Sequence, residues 1–399
     1  MSFFRHAPTR RLLAVIAGVV AAGIAATAIA IAASGGGPVP PAKPLPNAIR
    51  EALAAPPVQG LSARIKFTNH LIDSSAVQGG GPLLSGGSGR LWFGGDRKFR
   101  LEVQSSDGND AQIVSDGSKL TIYDPASNSA YEIALPPEKG GAGAKHQGPP
   151  TIADIKRELN DLAKSVDIAG PTPTDVAGQG AYSVRLSPKH DGGLLGSVEA
   201  AWDAARGVPL RIGVYAQGNS KPVLELTATG VQYGPVAAST FDVKPPADAK
   251  VTKVSAPTGA GSSHAKGKHS AVTGLDAVQQ KLSFKLAAPD TLAGLPRRGA
   301  RLLDSGDGSA GALVAYGQGL GGLLVLEQPS KAGDIPSGNG GHNHDGQQFS
   351  LPTLSVNGAT GVELATALGT AVRFERGGVT YTVIGSVPPA AAEAAARGL

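Results

Sequence analysis

The chain has 399 residues, room for two domains once a tail is set aside. Apolar residues make up 41%, charged residues 17%, and the net charge is +5, an ordinary globular balance. Cysteine is absent, which excludes disulfides, thiolate nucleophiles, cysteine metal sites and lipidation at a lipobox cysteine. Aromatic residues at 5% and the lack of a dense Lys/Arg cluster argue against a nucleic-acid surface.

The N-terminus carries the strongest single signal. Arg5, Arg10 and Arg11 precede Leu12–Ala33, "LLAVIAGVVAAGIAATAIAIAA", 22 residues without a charge. At about 1.5 Å per residue such a helix spans a hydrocarbon core of about 30 Å. The arginines orient its start to the cytoplasm and place the rest outside. A cleaved signal peptide is the rival, because Ala28-Ile29-Ala30 and Ala30-Ile31-Ala32 resemble cleavage sites. The run is longer than the roughly 7–15 apolar residues of a signal, which favours an uncleaved anchor. The expected organisation is a cytoplasmic tail (1–11), a transmembrane anchor or signal peptide (12–33), a Gly/Pro linker (34–46), a first domain (47–250), a second linker (251–272) and a smaller C-terminal α+β domain (273–399).

After the spacer "SGGGPVPPAKPLP", a short helix is expected over Asn47–Ala55, with Asn47 as N-cap and Pro56 as stop. Leu61, Ala63, Ile65 and Phe67 then alternate with Ser62, Arg64, Lys66 and Thr68, the period-2 pattern of a half-buried strand. Phe99, Leu101 and Val103 continue it; Ala111–Ser115 and Lys119–Tyr123 flank a hairpin signal at Asp116-Gly117, and Ala130–Leu135 follows the turn "DPASNS". These segments read as an antiparallel meander. "TIADIKRELNDLAKSV" is the best soluble helix, capped by Thr151, with Ile152, Ile155, Leu159, Leu162 and Val166 on one stripe. Strands resume at Tyr182–Leu186, Gly196–Asp203, Pro209–Ala216, Pro222–Thr229 and near Phe241–Val243. The C-terminal region reads as strands near Ser283–Leu286, Ala312–Tyr316, Leu323–Glu327, Ala371–Glu375 and Val379–Ile384, closed by a helix over Pro389–Arg397. Helices inserted in a mainly antiparallel sheet give the class α+β.

Chemistry is sparse. Asp107, Asp110, Asp116 and Asp124 sit beside Gly, Asn or Pro, where Asp serves turns, and "DGNDAQIVSDG" does not fit a calcium loop. "GQGLGG" (Gly317–Gly322) is followed by a short apolar run ending at Pro329, so it reads as a glycine hairpin and not a dinucleotide fingerprint. "GSSHAKGKH" has the wrong glycine spacing for a P-loop, and His269 stands where Ser or Thr is required. His342, His344 and Asp345 lie among Gly, Asn and Gln, with nothing to hold them as metal ligands; His264 and His269 are a weaker pair. No G-x-S-x-G occurs. The residues therefore indicate no catalytic site, metal or cofactor.

Three passages carry a family resemblance: "GRLWFGGDRKFRLEV…IVSDGSKLTIYDPASNSAYEI", "VEAAWDAARGVPLRIGVY" and "FDVKPPADAKV". Their order of strands and turns resembles the bacterial lipoprotein-carrier family (LolA-like) and its sensor relatives (the N-terminal domain of RseB/MucB), over about half the chain. The resemblance implies a curved antiparallel half-barrel closed by helices around an apolar cavity for acyl chains, without catalysis. On that reading the inward-facing candidates are Ile65, Phe67, Leu91, Phe99, Leu101, Ile113, Leu120, Ile122, Trp202, Ile212 and Leu226. Whether their shared side is a cavity wall or a filled core stays open. In the first passage, about where Gram-negative carriers place an arginine just before the equivalent of the "DRKFRLEV" strand, Gly94 and Gly95 stand, with Arg97 nearby. The tail, "VRFERGGVTYTVIGSVPPAAAEAAARGL", resembles a small C-terminal domain of membrane-tethered extracytoplasmic proteins. The implied partners are lipid or lipoprotein acyl chains and the membrane. The alternative is an envelope-stress regulator acting through a transmembrane partner such as an anti-sigma factor; its own cytoplasmic tail is too short to hold a sigma-binding domain.

Overall fold

Alternating apolar rows need a second layer to cover them, and the chain supplies that layer with two short helices. The computed structural model describes residues 39–72, 86–95, 97–104, 110–125, 128–135, 151–190, 192–254, 272–304, 310–330 and 351–399. The expected membrane segment 12–33, Asp107, and the histidines at 264, 269, 342 and 344 lie outside them. Among the described residues no helix is long and apolar enough to cross a membrane.

The first region runs α1 (Leu45–Ala54), β1 (Leu61–Asn69), β2 (Gly87–Phe93), β3 (Lys98–Gln104), β4 (Asp110–Asp116), β5 (Lys119–Asp124), β6 (Ser129–Ala134), α2 (Ile152–Leu162), β7 (Val166–Val176), β8 (Gln179–Pro188), β9 (Leu195–Asp203), β10 (Pro209–Ala216), β11 (Leu224–Tyr233) and β12 (Lys250–Val254). Its twelve strands form one open sheet in the order β12-β6-β5-β4-β3-β2-β1-β11-β10-β9-β8-β7. Neighbours are antiparallel, except that β12 runs parallel to β6. The second region runs α3 (Leu275–Gln279), β13 (Thr291–Leu292), β14 (Leu295–Asp304), β15 (Ala310–Tyr316), β16 (Leu323–Pro329), β17 (Thr353–Val356), β18 (Ala359–Thr366), β19 (Gly369–Arg376), β20 (Val379–Gly385) and α4 (Pro389–Arg397). It is an eight-stranded sheet of order β13-β14-β15-β16-β20-β19-β18-β17. Strands dominate, so the α+β expectation narrows to a mostly β chain with few helices.

Register decides which side chains share a face. One row crosses six strands through Ala63, Leu91, Leu101, Ile113, Ile122 and Tyr131. A second runs through Leu61, Phe93, Phe99, Ser115, Leu120 and Ile133. Both lie on one face, because each strand contributes residues two apart. The turns behave as expected. Asp116 Oδ1 accepts from the Ser118 N–H at 2.8 Å, the Ser118 hydroxyl at 2.7 Å and the Lys119 N–H at 2.9 Å. Gly117 supplies the positive φ of 95° between them. Burial opposes the charge on Asp116, but those hydrogen bonds outweigh it and lower its pKa. The aspartate is turn chemistry.

Several expectations are corrected. The first helix begins at Leu45, with Pro46 in its first turn, so Asn47 is not the cap. The second helix is capped by Thr151 in a capping box with Asp154, but it ends at Leu162; Val166 instead starts β7 opposite Pro188. Phe241–Val243 is not a strand: Ala238–Phe241 is a 3₁₀ turn whose Thr240 carbonyl accepts from Arg100 at 3.3 Å. Ser283–Leu286 is irregular, because side chains take its backbone groups: Gln279 bonds the Phe284 carbonyl and the Leu286 N–H, each at 2.8 Å. "GQGLGG" connects β15 to β16, as a hairpin reading requires.

The eight-stranded sheet buries one carboxyl. Glu327, opposite Tyr381 on β20, is 0% exposed. Its Oε2 accepts from the Ala287 N–H at 2.9 Å, while Oε1 has no hydrogen-bond partner among the described residues. Burial pushes its pKa up to about 7, against the opposing pull of the Ala287 N–H. A raised carboxyl pKa means that the folded state binds the proton more tightly than the unfolded state. Stability therefore falls as pH rises from about 4.5 to about 7, and is flat above. Thermal unfolding across that window should show a loss on the order of 3 kcal/mol, and Glu327→Gln should flatten the profile. An unchanged profile in the variant would remove Glu327 as its source.

Candidate functional site

Helix α1 turns Leu45, Ile49, Ala52 and Leu53 to one side, at the spacing of a single helical face. Helix α2 adds Leu159 and Leu162. Between these helices and the sheet lies a cavity of about 640 Å³. Its sheet wall draws on Phe99 of β3 and Ile168 of β7, which stand seven strand spacings apart in the sheet order. In a flat sheet that is roughly 33 Å at about 4.8 Å per strand. One cavity reaches both, so the sheet is curled into a half-barrel with the helices on its concave side.

The wall is almost wholly apolar. Leu61, Ala63, Leu91, Phe93, Val184, Leu186, Leu210 and Val231 belong to it, with Leu135 beyond β6. Arg97, Ser115 and Arg211 are its polar members. Ser115 is satisfied, since its hydroxyl donates to the Arg97 carbonyl at 2.7 Å. The buried indole N–H of Trp202 has no hydrogen-bond partner among the described residues.

Of the eleven candidates read from the sequence, Ile65, Leu91, Phe99, Trp202, Ile212 and Leu226 line the cavity. Phe67 and Leu101 pack against the neighbouring core beside Val103 and Ile65. Ile113, Leu120 and Ile122 share the same sheet face, farther along the wing towards β6, and do not line the cavity. The helical residues were missed as lining, although the stripe of α2 was legible; its partner was not. Missed too were Leu61, Ala63 and Phe93, all in plain alternation with residues of the expected set, and Val184, on a strand that contributed none.

Two local devices hold this wall. Gly94 lies under the ring of Phe241, where a Cβ would fall 2.4 Å from Cε2, so a side chain at this position would displace that ring. Arg97 itself, at φ 58°, stands on the cavity wall. At the other end Asp203 ties the β9–β10 turn. Its Oδ1 accepts from the Ala205 N–H at 2.8 Å and the Arg206 N–H at 2.9 Å. Its Oδ2 accepts from the Tyr233 hydroxyl at 2.7 Å and from Arg206 Nη1 at 3.2 Å. Burial, then the Asp203 charge, drive the Tyr233 pKa well above the usual tyrosine range. The turn sets the positions of Trp202 and Leu210 on the wall.

No family model matches the chain, and no curated protein does. Among solved structures it is similar to the Pseudomonas aeruginosa MucA/MucB complex (14% identity, TM-score 0.34, covering 88% of this chain and 95% of that one). It is also similar to MucB alone (15%, TM-score 0.37, covering 88% and 94%). A LolA superfamily protein from Nitrosomonas europaea is similar over 49% of this chain and 97% of its own (10%, TM-score 0.21). These are proteins of the two kinds that the sequence resembles.

Asp203→Ala should cost about 2–4 kcal/mol, because it strips a buried phenol and two backbone N–H groups of their acceptor. Urea unfolding measures this; Asp203→Asn should retain part of the loss, and a change under 0.5 kcal/mol would show that the turn does not depend on the carboxylate.

Proposed function

We propose that the chain is a membrane-tethered, extracytoplasmic binding protein that holds the acyl chain of a lipid or lipoprotein in this cavity, making and breaking no bonds. The observation that supports the reading is the cavity itself. About 640 Å³ of space lies between apolar walls of sheet and helix, within the roughly 300–1,000 Å³ of ligand sites generally. Burying methylenes there yields about 0.8 kcal/mol each. Ten of them contribute roughly 8 kcal/mol, before the cost of immobilising the chain is subtracted. No metal or cofactor is called for. The tether is the apolar segment 12–33, with its N-terminus in the cytoplasm and the two sheets outside.

The test compares the full chain with Ala200→Phe, which adds a ring to the cavity wall. After membrane extraction and purification, mass spectrometry of organic extracts should find acyl lipid at near-equimolar ratio in the parent. It should find at least tenfold less in the variant, with the melting temperature unchanged or raised. Equal lipid in both, or none in repeated preparations of the parent, would overturn the reading. If a membrane protein co-purifies in place of lipid, regulation through a transmembrane partner takes its place.

A further inference from the structure

The side of the eight-stranded sheet that faces away from α3 and α4 carries an apolar row. Register runs it through Ala315, Leu324, Ile384, Ala371 and Leu364, on five neighbouring strands from β15 to β18. The alternate residues Val314, Val325, Val383 and Val372 form the core on the other side, each 0% exposed. An antiparallel sheet with one packed face ordinarily turns polar residues to the other. Here Leu324 is 44% and Ile384 47% exposed, and Leu320, in the adjoining β15–β16 turn, is 36% exposed. Six large apolar side chains are exposed among the described residues, and these are three of them, so the row is a patch and not scatter.

The charges around the patch are mostly cationic. Arg301 is exposed on the same face, paired across the ladder with Leu313, and Arg373 follows Ala371 on that face of β19. Arg298, also exposed, donates from Nε to the Gly317 carbonyl at 3.0 Å, beside the turn that holds Leu320. Among the described residues, Glu375 is the one carboxylate that the register puts on this face. A second copy laid face to face would add cations to cations. An anionic lipid surface answers both features, the apolar row by burial and the arginines by charge.

We propose that this face lies on the anionic surface of the bilayer that holds the apolar segment 12–33, with Leu320, Leu324 and Ile384 entering the headgroup layer and Arg298 and Arg301 against anionic headgroups. This rests on the tether of the reading above and not on its acyl cargo. Reach permits it. Tyr182 of β8 holds the Pro41 carbonyl at 2.7 Å. The chain from Ala33 to Pro41 spans at most about 28 Å. Along β8, Tyr182 to Pro188 is about 20 Å. Just past the β8–β9 turn the Leu194 N–H meets the Ser386 carbonyl at 3.1 Å and its hydroxyl at 3.0 Å, next but one to Ile384. Pro41 and Ile384 are thus on the order of 35 Å apart. The tether is long enough for the second sheet to lie down on the membrane that anchors the chain.

The sequence holds no cysteine, so a bimane dye can be placed on Ile384→Cys alone, or on Tyr131→Cys of the first sheet for comparison. The full chain is reconstituted in vesicles of brominated phosphatidylcholine, with or without phosphatidylglycerol. Bromine should roughly halve the fluorescence of Ile384→Cys when phosphatidylglycerol is present, and high salt, or Arg298→Gln with Arg301→Gln, should restore it. Tyr131→Cys should keep its fluorescence in both vesicles. Ile384→Cys unquenched in both, in chain that still floats with the vesicles, would overturn the docking and leave the tether standing; quenching of Tyr131→Cys to the same degree would do likewise. Chain that floats with neither vesicle would overturn tether and docking together. An emission shift at Ile384→Cys without quenching would assign the face elsewhere: to a second copy if the mass doubles, to an acidic polypeptide if polyglutamate causes it. If Ile384→Cys does not fold, Leu324→Cys is read by the same criteria.

Discussion

Covering the apolar face of a twelve-stranded sheet with two short helices leaves space that side chains do not fill. Helices α1 and α2 have 10 and 11 residues, about 15 Å of cylinder each. The sheet reduces the mismatch by curling, which brings β3 and β7 to one cavity, but curling cannot remove it. The residual volume is therefore a property of the architecture and not of any one residue. It also places the consequence of any single substitution: enlarging a wall side chain fills the space, whereas shrinking one only adds to it.

The sequence made the strands of this face legible because alternation is a local signal. Leu61, Ala63, Ile65 and Phe67 declare a face without reference to any partner. The same signal failed for β7, whose "VDIAGPTPTDV" is broken by Gly170 and two prolines, and for the β17–β18 hairpin, where Asn357-Gly358 was an available turn signal. Periodicity also could not say how far along the sheet the helices reach. That is why Ile113, Leu120 and Ile122 are on the right face yet outside the cavity, while Ile49 and Leu53 are on its opposite wall. Which helix covers which strand is a long-range matter, decided by chain closure between segments more than a hundred residues apart.

Polar chemistry follows the same division. The aspartates that look reactive in the sequence are local: Asp116 serves its own turn. The polar groups with long-range meaning are less conspicuous. Arg211 sits in an ordinary strand pattern, and only the pairing of β9, β10 and β11 brings Glu199 and Glu225 to it, beside Tyr215 of its own strand. Burial lowers the pKa of that guanidinium and its carboxylate and phenol neighbours raise it, with the neighbours prevailing. Glu327 is the reverse case, a buried carboxyl with no cation to answer it among its hydrogen-bond partners.

The chain ahead of α1 is not loose. The hydroxyl of Tyr182, a β8 residue 1% exposed and packed with Ala48 and Trp202, donates to the Pro41 carbonyl at 2.7 Å. Lys43 lies 5.3 Å from the centre of the same ring and pairs with Glu51 of α1. Mechanically, the incoming segment and the cavity's first covering helix are one piece, clamped at a single phenol. A pull on the chain upstream of Val39 would load that clamp before it loaded the sheet, and α1, only a few residues farther on, is the first element it would move.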